Sequence, residues 1–338
     1  MNSFRIALAV LVSCVAAPAS AAPGYEQDRK QLEQVLADLI AWLPGAWDSY
    51  PQVYYENNYA MPKEGEHEHW HRTFARIDAP QVGEVVFYGQ INAGGRNGPI
   101  IGGSQVLYKA VIDKKLGAVN IFGQGPLDPE KYENLHVRPE LWGEVKMRDP
   151  AALNCDFIWR RDVDHIFGVL QGNTPEKQKY GPGTCAFLSV RSGVEFRGDA
   201  EWALNAEKLW LYDNNWQADM LVLGREDRTH IQMYRARPYT CEVKDASGRR
   251  QVDAHDRGHK MEVSGNGGRK LELLLLRAEY PADVGLSDRL KLMLTDPTNG
   301  KDIGVSEAAP LAKSIDLKSD GVAATCRLAS KFPPMALQ

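Results

Sequence analysis

Three histidines alternate with other residues between positions 67 and 71. On an extended strand, this period of two places the imidazoles of His67, His69 and His71 on one face. Three such imidazoles can hold zinc or copper when a fourth ligand comes from elsewhere in the chain. The pattern offers no obvious distal ligand, so we favour a polar, solvent-facing strand and predict no metal site.

A second polar cluster consists of Asp253, His255, Asp256 and His259, and its simplest interpretation is a surface turn. The glycine-rich run at residues 94–98 precedes a predicted strand rather than a helix. A phosphate-binding loop needs the amide groups at a helix start, so we expect a hairpin there. No Gly-x-Ser-x-Gly elbow is present to indicate a serine hydrolase.

Aromatic residues crowd the stretch from 159 to 216. In a barrel of about eight strands, inward side chains either fill the core, the commoner outcome, or line one small ligand cavity. A lined cavity also needs a few polar groups to orient the ligand. The candidate ligand-binding residues are Gln90, Asn92, Glu201, Trp202, Trp210 and Asp213.

The elements that would position these residues are mostly strands. Apolar residues between Arg29 and Trp42 have the spacing of one helical face, and Pro44 with Gly45 ends that helix. Short alternating runs then follow, as is typical of an antiparallel barrel or sandwich. Because the pattern restarts after Tyr239, we predict a barrel domain at 22–239 and a small β-sandwich-like module at 240–338.

The amino terminus has the three parts of a secretory signal peptide. Arg5 precedes a short apolar run, and the small residues Ala19-Ser20-Ala21 supply a cleavage site, so residues 1–21 would be removed. The alternative is a lipoprotein that keeps a lipid on Cys14. No segment is long and apolar enough to span a bilayer. We therefore expect a protein exported to the periplasm or the medium.

Charge argues against nucleic acid as a partner. Removing residues 1–21 from 338 leaves 317, and because Arg5 is the one charged residue removed, the formal net charge moves from −4 to −5. A mildly acidic chain without a basic face gains little from releasing the counterions of phosphates. No run of positive charge indicates binding to a membrane surface either.

Four cysteines remain after removal of the signal peptide: Cys155, Cys185, Cys241 and Cys326. An even number in an oxidising compartment usually means disulfide bonds. Three connectivities are possible. Sequence order favours pairing the first two and the last two, because each bridge then stays inside one predicted domain.

Four stretches of the chain resemble the CpcT/CpeT-type chromophore lyases in order and spacing. The matching residues include Leu43-Pro44-Gly45-Ala46-Trp47, Val86-Phe87-Tyr88-Gly89-Gln90, Cys155 with Cys185, and Tyr212-Asp213. Members of that family attach bilin pigments to cysteines of phycobiliproteins and have a calycin-like (lipocalin-like) β-barrel. The resemblance covers roughly residues 32–238 and leaves the carboxy-terminal module unmatched.

This resemblance implies that Cys155 and Cys185 form a disulfide and that Gln90, Glu201 and Asp213 face the pocket. It also implies a bilin or another tetrapyrrole as ligand, with Asp213 as the catalytic residue. The chain departs from the family at residues 89–92, where Gly-Gln-Ile-Asn replaces Glu-Gln-x-Tyr.

Three functions are compatible with these patterns. The first is an exported barrel that binds a small, partly apolar ligand, and the second is a bilin lyase. The third is a secreted partner-binding or structural protein in which the carboxy-terminal module carries the interaction. We favour the first, because site chemistry rather than fold decides function.

Overall fold

The computed structural model describes residues 29–59, 66–148, 155–188 and 193–332. The predicted signal peptide, with Cys14, lies outside these ranges. Within them, no helix combines the length and the apolar character needed to cross a membrane.

The amino-terminal part is a closed antiparallel barrel, which confirms the predicted mainly β fold with a helix before it. The ring contains ten strands rather than about eight, in the order β1-β2-β3-β4-β5-β6-β7-β9-β10-β12, and β12 pairs back with β1. Strands β8 and β11 extend the ring beside β9 and β10. The strands are β1 (Gly45–Asp48), β2 (Trp70–Ile77), β3 (Val85–Ala93), β4 (Val106–Asp113), β5 (Ala118–Gln124), β6 (Cys155–Asp162), β7 (His165–Gly172), β8 (Thr184–Leu188), β9 (Glu195–Leu204), β10 (Lys208–Gln217), β11 (Met220–Leu223) and β12 (Ile231–Arg235).

Alternation along each strand separates an inner from an outer face. Trp70 and Phe74 of β2 point into the apolar core of the barrel, and His71 between them points outward. Phe87 of β3 likewise points inward, whereas Tyr88 packs on the outside.

Helix α1 (Arg29–Trp42) closes one end of the barrel and has the predicted bounds. Its buried face, with Val35 and Leu39, joins the same apolar core as Val119 and Ile166, which lie near one end of β5 and β7. Among the residues that the structure describes, a cavity inside the barrel therefore lies toward the opposite end.

The chain from Pro238 onward forms two four-stranded sheets, β14-β13-β20-β19 and β15-β16-β17-β18, around one shared apolar core. The predicted division at 239/240 falls inside the first of these strands. The strands are β13 (Pro238–Asp245), β14 (Gly248–His255), β15 (Arg257–Ser264), β16 (Lys270–Pro281), β17 (Leu286–Asp296), β18 (Lys301–Ala308), β19 (Ser314–Ser319) and β20 (Val322–Leu328). We call this part the sandwich.

Both favoured disulfides are confirmed. Cys155 bonds to Cys185, with a Cα–Cα distance of 5.8 Å, and ties β6 to β8. Cys241 bonds to Cys326 across the neighbouring strands β13 and β20, in the sandwich core. Two disulfides are compatible with an exported protein.

A second helix, α2 (Tyr50–Tyr59), lies between the barrel and the sandwich and is not among the predicted elements. Ser49 and Pro51 are the signals that could have revealed it, because serine favours a helix N-cap and proline favours the first turn. Tyr50 and Tyr54 pack against the outer face of β16 and β17. On that side, Gly258 has φ +100° and touches the Tyr50 ring so closely that no Cβ would fit.

Residues 125–148 cross the outer face of β3 with two short 3₁₀ turns, Leu135–Val137 and Pro139–Leu141. Tyr132 and Leu135 pack against Val86 and Tyr88. This covering segment buries a stretch of outer wall that would otherwise face solvent.

Candidate functional site

A cavity of about 320 Å³ opens in the barrel at the end opposite α1. Its walls are mostly apolar and aromatic, and its polar groups include the Tyr108 hydroxyl from β4 and the side chains of Asp213 and Asn215 from β10. The lining residues are Val106, Tyr108, Ile121, Gly123, Cys155, Phe157, Leu170, Phe187, Ala200, Trp202, Asp213 and Asn215. We call it the barrel pocket, and it has the character of a small-molecule site at the low end of the usual size range.

Asp213 is the charged group in the wall of this pocket. Only burial and the charge of Arg72 act on its pKa, and no hydrogen bond to its carboxylate is found among the described residues, although it lies among aromatic rings. Burial raises the pKa of Asp213, and the Arg72 guanidinium opposes that rise. An unpaired carboxyl group in an apolar pocket is suited to accept a hydrogen bond from a ligand or to transfer a proton.

Arg72 places a buried positive charge behind the pocket wall. Its guanidinium lies 4.5 Å from the ring centroid of Trp202 and 5.2 Å from that of Phe74. Within the described chain, its Nε and Nη1 have no hydrogen-bond partner. Arg72 is not among the predicted site residues, although its place between Trp70 and Phe74 on an alternating strand is a signal that it points inward.

The predicted ligand-binding residues separate into two groups. Trp202 and Asp213 line the barrel pocket. Glu201 and Trp210 lie on the outer faces of β9 and β10, where Glu201 is 3.9 Å from His230 and Trp210 is 37% exposed.

Gln90 and Asn92 lie on the outer face of β3, away from the pocket. Gln90 is fully buried and bonds to Tyr88, Asn92 and Asn134 beneath the covering segment. The resemblance implies that Gln90 faces the pocket, but the side-chain parity of β3 places it on the other side of the wall.

A larger cavity of about 610 Å³ lies at the junction of α2 and the sandwich. Its two arginines have partners. Arg277 pairs with Asp288 at 2.9 Å, and Arg257 donates to two backbone carbonyl groups. Nη1 of Arg277 has no hydrogen-bond partner in the described chain, but it lies 3.6 Å from Glu207. The lining charges are thus largely balanced inside the protein, and we take the more apolar barrel pocket as the better candidate.

The alternating histidines do not form the solvent-facing strand that we predict. His67 and His71 are buried, because the sandwich and α2 cover this part of the barrel wall. His67 bonds through both ring nitrogens, to Glu56 at 2.7 Å and to Thr229 at 3.0 Å. It therefore belongs to a structural network separate from His69 and His71.

Residues 67–71 also read His-Glu-x-x-His. In metalloproteases this motif lies on a helix, which brings both histidines to one face. Here β2 begins at Trp70, no helix is present at these residues, and His67 and His71 bond to different partners. The match therefore does not indicate a metalloprotease.

His69 and His71 share the carboxylate of Asp48, which is completely buried. Oδ1 of Asp48 lies 2.9 Å from Nε2 of His69 and accepts the Tyr50 amide at 2.8 Å. Oδ2 lies 2.9 Å from Nδ1 of His71 and 3.7 Å from Nε2 of His255.

His255 and His259 come from the cluster that we predict to be a surface turn, and that prediction is wrong for most of it. Asp253 is exposed, but His255, Asp256 and His259 are buried because this corner of the sandwich packs against the barrel wall. Asp256 pairs with Arg237 at 2.6 Å. We call Asp48, His69, His71, His255 and His259 the histidine cluster.

Burial and charge set the protonation of the histidine cluster. Burial alone would raise the pKa of Asp48, but the neighbouring histidines hold it well below its usual range. Burial lowers the pKa of His255 well below its usual value, against the attraction of Asp48. Burial also lowers the pKa of His259 to about 4, with help from the charge of Arg96. The cluster is thus an ionised carboxylate among imidazoles of which His255 and His259 are neutral near pH 7.

No protein-family model matches this chain, and no curated protein matches it.

Proposed function

We propose that the barrel binds a small, partly apolar molecule that donates a hydrogen bond to Asp213. The observation that carries this proposal is the unpaired Asp213 carboxyl group in the aromatic wall of the barrel pocket. A ligand with an N–H or O–H group would satisfy it, and its apolar part would pack against Trp202 and Phe157.

The charge near Asp213 favours a neutral ligand over a cation. Arg72 already lies close enough to lower the pKa of that carboxyl group, so part of its negative charge is compensated. The cavity volume of about 320 Å³ favours a molecule of one or two rings over a four-ring pigment held entirely inside.

Tryptophan fluorescence tests the proposal, since Trp202 lines the pocket. Titration with indole, a fatty acid, haem and a bilin should quench or shift the emission for at least one of them. Trp202→Phe should remove most of that change. If none of the four alters the emission of the wild-type protein, the proposal fails.

Asp213→Asn tests the polar contact. Removing a hydrogen bond to a charged group costs about 1.5–3 kcal/mol, or roughly 10- to 100-fold in affinity. Glu201→Gln is the matched control, because it removes the same charge one strand away on the outer face. Equal affinities for the two variants would contradict the proposed role of Asp213.

Bilin attachment is the second candidate, and the observation that favours it is the raised pKa of Asp213 at the pocket wall. In such a reaction the acceptor thiol adds to the vinyl group of the pigment, a C–S bond forms, and the thiol proton passes to carbon. Asp213 would transfer that proton. Co-expression with an acceptor protein and a bilin source should then give a coloured covalent product whose yield falls in Asp213→Asn. No coloured product, or an unchanged yield in the variant, rejects this activity.

A further inference from the structure

We propose that the histidine cluster binds one divalent transition-metal ion, with Zn²⁺ as its test ion, through Asp48, His71 and His255. The ion would join the outer wall of the barrel to the sandwich. This site is separate from the barrel pocket and does not depend on the function proposed there.

The separations of the ligand atoms fit such an ion. One possible ligand atom from each of the three residues lies within 4.8 Å of the others, and all three residues are buried. Zinc bonds of about 2.0–2.2 Å in a tetrahedron put ligand atoms about 3.3–3.6 Å apart. Oδ2 of Asp48 lies 2.9 Å from the His71 nitrogen and 3.7 Å from the His255 nitrogen, on either side of that value.

His259 lies beside these three residues. Its ring centroid is 5.3 Å from that of His255, but its nitrogens are not among the ligand atoms that lie within 4.8 Å of one another, so the fourth position would be filled by a small shift of His259 or by water. Two of the imidazoles come from the ends of β14 and β15, where the chain passes from one sheet of the sandwich to the other. His71 and Asp48 come from β2 and β1, so the donors belong to both halves of the molecule.

Outer contacts hold the carboxylate in place for this role. The Tyr50 amide and His69 both bond to Oδ1 of Asp48, which leaves Oδ2 for the ion. Partners of this kind orient metal ligands and raise affinity. The ion would take the position of the Nδ1 proton that His71 now shares with Oδ2, and that proton would leave to solvent.

Two features of the histidine cluster oppose binding of the metal ion. Ligation through Nε2 puts the ring proton of His255 on Nδ1, so the 3.2 Å hydrogen bond from the Arg257 amide is lost. Arg96 adds positive charge nearby, and Asp253 partly offsets it. The hydrogen bond from the Arg257 amide is already long, so its loss costs little. The negative charge of the buried Asp48 carboxylate offsets the charge of Arg96, and we therefore expect the ion to bind despite both effects.

The test uses the full exported chain, purified without a histidine tag and treated with a chelator. Isothermal titration with Zn²⁺ and the absorption of bound Co²⁺ should each show one ion per chain, with the spectrum of a tetrahedral site. His71→Gln and His255→Gln should weaken Zn²⁺ binding at least tenfold. His165→Gln, at the start of β7, is the matched control and should leave binding unchanged.

Absence of stoichiometric binding to the wild-type chain overturns the proposal, as does equal affinity in all three variants. If the His71 and His255 variants fail to fold, thermal unfolding of the wild-type chain decides. Zn²⁺ should then raise the unfolding temperature above that measured with chelator, and equal temperatures overturn the proposal.

Discussion

Replacing Gly258 by alanine should destabilise the junction between the barrel and the sandwich. At φ +100° an alanine is strained, which costs about 1–3 kcal/mol. Its Cβ would also lie 2.5 Å from Cβ of Tyr50 and closer still to the ring. Overpacking of this kind costs about 1–3 kcal/mol more, because the tyrosine must move against β16.

Gly248→Ala separates these two effects. Gly248 lies in the same sandwich with φ +121°, but an added Cβ there meets nothing within 4 Å. It should therefore show the backbone strain alone. Gly258→Ala should lose about 1–3 kcal/mol beyond the control, or roughly 2–10 °C in unfolding temperature.

Scanning calorimetry on wild type and both variants measures the difference. Equal unfolding temperatures for Gly248→Ala and Gly258→Ala would refute the argument, because the close approach to Tyr50 would then have no energetic effect. Since Tyr50 also donates its amide to Asp48, Gly258→Ala should in addition weaken Zn²⁺ binding, and Gly248→Ala should not.

Replacing Cys155 and Cys185 by serine should destabilise the barrel by about 3–4 kcal/mol in the chain-entropy model, measurable by urea unfolding, and an unchanged midpoint would contradict it. The pKa of His259 is about 4 in the folded protein against about 6.5 when unfolded, so the unfolded state binds more protons between these values. Stability should therefore fall as pH drops from about 6.5 to 4 and be constant above, and His259→Gln should flatten that decline. Phe157→Ala should weaken ligand binding by several-fold in the fluorescence titration, because the residue lines the barrel pocket and packs on Trp202, whereas an unchanged affinity would move the ligand elsewhere.

The sequence predicts the elements whose signal is local. Helix α1 follows from its apolar spacing, and the barrel strands from alternation, so both are found. Helix α2 is missed because its helical periodicity is weak, and its burial comes from packing on the sandwich. The disulfide pairs are predictable because each joins cysteines that are adjacent in sequence order.

The candidate sites depend on contacts between distant parts of the chain, so the sequence reveals only fragments of them. His71 and His255 are 184 positions apart in sequence, yet their ring centroids lie 5.1 Å apart. Neither the segment around His71 nor the segment around His255 contains a complete set of metal ligands. Each segment therefore has a simpler local interpretation. Gln90 and Asp213 are both polar residues predicted to face the pocket. Only the alternation of side chains along each strand decides which of them reaches it.

Because α1 closes one end of the barrel, it restricts how a ligand could enter and leave the pocket. A ligand bound in the barrel pocket, as proposed above, would have to enter and leave at the end beside the Cys155–Cys185 bridge. A macromolecule that delivers or removes this ligand would have to dock at the rim of the barrel opposite α1. A bulky group fused next to the rim should therefore slow exchange in both directions, whereas the same group fused before α1 should not.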